Sequence, residues 1–266
     1  MTYNTLRLEE ADDILTVTLH RPARRNALNP EMMDELLRVF DEAGKSTSGV
    51  LILTGTGDAF CAGLDIEHLQ ALQNKSKSEH EEDALRVVRL FRALYDLPLP
   101  TVAAVNGPAL AGGMGLATLC DFTLAVPEAK FGYTEVRIGF IPAVVSSFLV
   151  LQVGEKQARD LLLTGRLIVA EEALSLGLVN GIVDAPMLMV HARALAQSLL
   201  QNSPEAMRTT KRLLSSRVQE RLDQELQSAI AWSAKARATK DFREGVAAFL
   251  EKRKPAWPSK KKTVRE

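Results

Sequence analysis

Apolar residues change their period at a few places along the chain, and each change marks an element. Residues 14–19, Ile-Leu-Thr-Val-Thr-Leu, are rich in β-branched types and stop at His20-Arg21-Pro22, which predicts a strand and a turn. From Asn29-Pro30 onward Met33, Leu36, Leu37 and Phe40 recur at helical spacing, with Asn29 placed as N-cap and Pro30 at the first helical position. Residues 49–54 form an unbroken apolar run of strand length, as expected of a sheet covered on both faces. Gly55-Thr56-Gly57-Asp58 then breaks the chain. Residues 67–82 are polar and lack a firm period, so they read as a linker. Helical spacing returns with Leu85, Val88, Phe91 and Leu94. Residues 101–105 predict another buried strand, residues 113–120 an apolar core helix and residues 122–126 the strand after it.

This alternation of strands and helices predicts an α/β core with a mainly parallel sheet. Beyond Pro142 strand signals fade, and residues 157–163, 170–176, 187–200, 204–215 and 221–238 all read as helices. Ser203-Pro204 marks one start, an N-cap followed by Pro. The chain therefore divides into a core over residues 1–200 and a helical region over residues 201–266.

Length changes the picture little: 266 residues suffice for one large core. Lys plus Arg equals Asp plus Glu, 33 of each, and no basic–aromatic stripe occurs, so nucleic acid is not an expected partner. Acidic residues and no apolar block open the chain, which argues against a secretory leader. Residues 97–120 carry no charge, yet Gly107, Gly112, Gly113, Gly115 and three prolines suit a strand, a loop and a helix start better than a membrane span. With only Cys61 and Cys120, a disulfide framework is not needed, and a reducing cytoplasm is the natural setting.

Familiar chemical motifs are missing. Gly55-Thr56-Gly57 lacks the third glycine of a dinucleotide fingerprint, and no P-loop occurs. The four histidines have no metal-ligand spacing, and no metal is expected. Cys61 has no nearby His and reads as a packed thiol. Two glycine-containing turns that follow buried strands are more informative: Phe60-Cys61-Ala62-Gly63-Leu64-Asp65-Ile66 and Ala109-Leu110-Ala111-Gly112-Gly113-Met114-Gly115. Such turns suit two roles equally: aiming two unpaired backbone N–H donors at one oxygen, or permitting tight turns and close helix–sheet packing.

Those two turns, with Arg21-Pro22, Asn26-Ala27-Leu28, Ala104-Val105-Asn106-Gly107-Pro108-Ala109, Cys120-Asp121, Phe131-Gly132-Tyr133-Thr134-Glu135 and Glu251-Lys252-Arg253-Lys254, resemble in order the motifs of the crotonase (enoyl-CoA hydratase/isomerase) superfamily. The similarity covers nearly the whole chain. It implies a crotonase (ClpP-like) α/β fold of repeated ββα units and an oligomerising helical C-terminal region. It further implies an acyl-CoA substrate with no cofactor beyond the CoA it carries, and a homotrimer or dimer of trimers.

The same resemblance assigns the site. The backbone N–H groups of Leu64 and Gly112 would hold the thioester oxygen, and Glu135 would carry the proton. At the position of the family's first glutamate stands Gly115, so a two-glutamate mechanism does not carry over. Ala62, Gly63, Leu64, Asp65, Ile66, Gly112 and Gly113 would line the CoA and acyl path. Arg24 and Arg25 read either as phosphate partners or as solvated turn arginines. Phe249 and Lys252 match a pair on the last helix that reaches the nucleotide end of CoA. Glu135 has its own plainer reading, an ion pair with Arg137 or an exposed strand-end charge. Residues 133–144 resemble hydratases of branched, carboxylated substrates such as methylglutaconyl-CoA in leucine breakdown. The expected activity is hydration of a 2-enoyl-CoA, with 3-enoyl to 2-enoyl isomerisation by one glutamate, or a CoA- or RNA-binding protein with vestigial catalysis, as the alternatives.

Overall fold

The computed structural model describes residues 3–46 and 48–261. A hairpin opens the chain: β1 (Leu6–Ala11) pairs antiparallel with β2 (Ile14–Leu19). Helix α1 (Pro30–Lys45) follows, its Asn29 side chain accepting the Met32 N–H as the sequence predicts. Then come β3 (Val50–Gly55), α2 (Ile66–Leu72), α3 (Lys77–Tyr95), β4 (Thr101–Val105), β5 (Ala109–Leu110), α4 (Gly112–Leu119), β6 (Phe122–Ala125) and β7 (Lys130–Gly132). The rest is α5 (Ala143–Thr164), broken at Gly154, β8 (Ile168–Val169), α6 (Ala170–Ser175), β9 (Gly181–Ile182), α7 (Leu188–Leu200), α8 (Pro204–Ser216), α9 (Gln219–Arg237) and α10 (Lys240–Leu250).

Six strands form one sheet in the order β1-β2-β3-β4-β6-β9, parallel except for β1. Strands β5, β7 and β8 form a second, smaller sheet. From β4 to β7 the strands are dealt alternately to the two sheets, β4 then β5 before α4, and β6 then β7 after it. This gives the mixed α/β architecture with a helical C-terminal region that the sequence predicts. Strands β3 and β4 are buried along almost their whole length, α7 packs on both, and their continuous apolar runs answer to two covered faces.

Three elements depart from expectation. Strand β1 escapes a period reading because only Leu6 is buried and the next four residues are exposed, as suits an edge. Residues 67–82 are no linker: α2 buries Leu69 and Leu72, and α3 starts at Lys77. Ser76 and Glu79 close a reciprocal capping box there, and that local signal competes with a polar composition. Helix α10, with Phe242, Gly245, Val246 and Ala248 buried, packs against the Glu135–Ile138 turn and α2. The division proposed at residue 200 falls at the end of α7. Residues 262–266 of the C-terminal region lie outside the described residues.

Candidate active site

The two glycine turns lie against each other. The Leu110 N–H donates to the Cys61 carbonyl (2.9 Å) and the Cys61 N–H to the Pro108 carbonyl (3.2 Å). Close approach explains the glycines. Gly63 has φ +90°, and a Cβ there would stand 2.8 Å from Ala111 Cβ and 3.3 Å from Gly112 N. A Cβ on Gly113 would meet the Cys61 carbonyl oxygen at 2.1 Å. The packing reading of these turns holds: close approach brings the two backbones into one place.

On the other side, Leu28 N–H donates to the Gly63 carbonyl (2.8 Å), Asp65 N–H to the Leu28 carbonyl (2.9 Å) and Ala62 N–H to the Arg25 carbonyl (3.0 Å). In this run the amides of Phe60, Cys61, Ala62 and Asp65 donate to backbone carbonyls, while the Leu64 N–H has no acceptor among the described residues. Gly112 is the first residue of α4, and its N–H likewise has no acceptor among the described residues. Ala111 before it sits at φ 51°, ψ −124°, a costly conformation for an alanine. Two backbone donors thus stand without acceptors among the described residues, on abutting turns and one of them at a helix N-terminus.

Leu64, Gly112 and Glu135 line a single cavity with Ala62, Ile66 and Ala111. Glu135 does not end a strand. It begins a one-turn 3₁₀ helix (Glu135–Ile138) after Thr134, and it is 8 % exposed. Its Oε2 has no hydrogen-bond partner among the described residues, so the ion pair with Arg137 is not formed through that oxygen. Burial pushes its carboxyl up to about 7, opposed only in part by its own backbone N–H. A carboxyl so placed exchanges a proton readily near neutrality.

Around Gly115, the position assigned to the family's first acid, the structure has hydrocarbon. A Cβ on Gly115 would meet Val145 Cγ1 at 2.8 Å and two Phe91 ring carbons at 3.2 Å. Phe91 and Val145 both line the cavity, whose other walls come from Leu69, Val87, Ile138, Phe140, Ile141 and Val144. Glu135 and Arg237 are the charged residues among the lining.

The remaining assigned residues scatter. Asp65 is the N-cap of α2 and pairs with Arg21 at 2.8 Å, which fixes the turn carrying Leu64. Arg24 is paired with the exposed Glu67 at 2.7 Å, and Arg25 occupies the left-handed region as the cap of a short turn. Phe249 is 59 % exposed at the cavity edge. Lys252 is not on the last helix: α10 ends at Leu250, and Lys252 lies beyond it at φ 54°. Cys61 is fully buried, and burial pushes its thiol up to about 12.

Sequence reading missed the α9 wall altogether. Arg237 there is 1 % exposed and pairs with Asp83 on α3 at 2.7 Å, and Asp83 Oδ1 lies 2.6 Å from His68 Nε2. Burial pushes the Asp83 carboxyl up, but the His68 hydrogen bond and the Arg237 charge outweigh it and hold it below the usual range. A lone arginine in a polar helix gives no sequence signal of burial. Among the described residues no helix is long and apolar enough to cross a membrane.

The enoyl-CoA hydratase/isomerase family model matches residues 9–260. A relative from Thermus thermophilus that carries an enoyl-CoA hydratase name is 46 % identical over 248 residues, 92 % of this chain and 98 % of that one. The crotonyl-CoA hydratase of Syntrophomonas wolfei is 35 % identical and covers 98 % of this chain and 100 % of its own. An enoyl-CoA hydratase/isomerase structure from Xanthobacter autotrophicus superposes with a TM-score of 0.87 at 29 % identity, covering 94 % of this chain and 97 % of that one. The chain belongs to the enoyl-CoA hydratase/isomerase family.

Proposed function

We propose that this enzyme adds water across the 2,3 double bond of an enoyl-CoA thioester using one carboxylate. The observation that carries the reading is a buried Glu135, its carboxyl pushed up to about 7, on the same cavity as the unpaired Leu64 and Gly112 amides. Ionised Glu135 takes a proton from water as the oxygen adds to C3. The electron pair moves through C2 onto the thioester oxygen, where the two amides meet the enolate charge. Each such donor is worth about 3 kcal/mol of transition-state stabilisation. Protonated Glu135 then returns the proton to C2, which collapses the enolate. The step is redox-neutral and consumes no cofactor, since CoA belongs to the substrate.

The apolar packing at Gly115 favours a second reading, isomerisation. There Glu135 removes a C2 proton from a 3-enoyl thioester and returns it at C4 through the same enolate. Loss of the conjugated thioester absorbance on mixing the enzyme with crotonyl-CoA or 3-methylglutaconyl-CoA supports hydration. No loss with either, together with gain of conjugation from a 3-enoyl-CoA, supports isomerisation instead. Turnover that survives Glu135→Gln at the parent rate refutes both.

For the substrate we favour a branched, carboxylated acyl group of the methylglutaconyl type, as in leucine breakdown, on the resemblance of residues 133–144. CoA would run along Arg24, Arg25 and residues 62–66, toward Phe249 and Lys252. Assembly as a homotrimer or dimer of trimers is supported by α8, which buries no residue and leaves Leu213 and Leu214 each 56 % exposed. A cytoplasmic location is supported by the free, buried Cys61 and Cys120.

A further inference from the structure

On the reading of this cavity as an acyl-thioester site, we infer that Arg237 sets its specificity, selecting acyl chains with an acceptor oxygen beyond the reacting carbons. Two of the three guanidinium nitrogens are already engaged: Nη1 donates to Ser233 Oγ, and Nη2 to Asp83 Oδ2 at 2.7 Å. The Nε–H is buried and has no acceptor among the described residues. The group is stacked over Phe140, its Cζ 4.9 Å from the ring centroid, and Phe140, Ser233 and Arg237 all line the cavity. Arg237 pairs with Ser233, Asp83 and Phe140 and with none of Leu64, Gly112 and Glu135, and its proposed place is at the acyl chain.

A hydrocarbon tail gains nothing from such a neighbour. The Nε–H is already dehydrated and unpaired in the folded chain, the costly state of a buried donor, and such a tail leaves it so. An oxygen on the tail pairs it. The donor is also fixed in advance: Asp83 holds the guanidinium fork, and His68 holds Asp83. Asp83 neutralises the arginine charge, so selection acts on hydrogen-bond acceptance, and a carboxylate and a hydroxyl share the required chemistry.

Saturated thioesters test this without any reaction. Dissociation constants are measured by calorimetry for glutaryl-CoA, for 5-hydroxypentanoyl-CoA and for 5-methylhexanoyl-CoA, the apolar isostere of the first. At least one oxygenated thioester is expected to bind about tenfold or more tightly than the isostere. Preference for glutaryl-CoA alone identifies a carboxylate, and preference for both identifies any acceptor oxygen. In the double variant R237M/D83N, which leaves no unpaired buried charge, the ratio falls to about one. Should that variant not fold, R237K serves, since it keeps the charge and loses the Nε–H fork. Equal binding of all three by the parent enzyme, or a preference that survives these substitutions, overturns the assignment. Binding with preference but no hydration of any enoyl-CoA would refute the reaction proposed above and leave Arg237's role standing. Failure to bind any of the three would refute the thioester site itself.

Discussion

Replacing Glu135 by Gln removes a charge that the fold resists. The folded carboxyl titrates at about 7, against 4.5 for the free group, so folded protein keeps a proton in that window that unfolded chain releases. Stability therefore falls as pH rises through the window, because the native state binds more protons there. Between about pH 5 and about pH 8 that shift amounts to about 2.5 kcal/mol. Glutamine has nothing to ionise. Urea unfolding of parent and Glu135→Gln at those two pH values should show the variant gaining about 2.5 kcal/mol relative to the parent on going to the higher one. Activity should move the opposite way. The variant loses about 10²- to 10⁴-fold in kcat/KM, and the parent's kcat/KM rises with pH around a midpoint near 7, since the base works ionised. A stability difference that stays flat with pH would mean that Glu135 is hydrated in the fold, and the desolvation argument would be wrong.

Gly113→Ala drives a Cβ to 2.1 Å from the Cys61 carbonyl oxygen and must part the two turns. A loss of about 1–3 kcal/mol in stability and about 10²-fold in kcat is expected, read by melting and steady-state kinetics. Gly115→Glu meets Val145 Cγ1 at 2.8 Å, so it should cost about 1–3 kcal/mol and bring no gain in hydration. Adding Val145→Ala should recover part of that stability, and a single variant as stable as the parent would show the wall to be loose. Asp83→Leu leaves the buried Arg237 unpaired and should cost about 3–5 kcal/mol, while pairing it with Arg237→Met should cost far less. Denaturant midpoints of the three proteins decide the matter.

What the sequence determined by itself was local or nearly so. The Asn29-Pro30 and Ser203-Pro204 starts, the runs that became β3 and β4, and the helix after Gly112-Gly113 follow from residue types and short periods. The glycine turns were equally visible, because only glycine tolerates Gly63's φ and Gly113's closeness to Cys61. Tertiary structure decided what depends on neighbours distant along the chain. Nothing local to Glu135 says that it is buried; the walls that strip it of water come from α2, α3, α5 and α9. Gly115 shows in sequence that an acid is missing, but Phe91, 24 residues upstream, and Val145 fill the place. Arg237 reads as one more charge on a polar helix until Asp83, 154 residues away, draws it inside. Desolvation and pairing are properties of surroundings, and surroundings are assembled only when the chain folds.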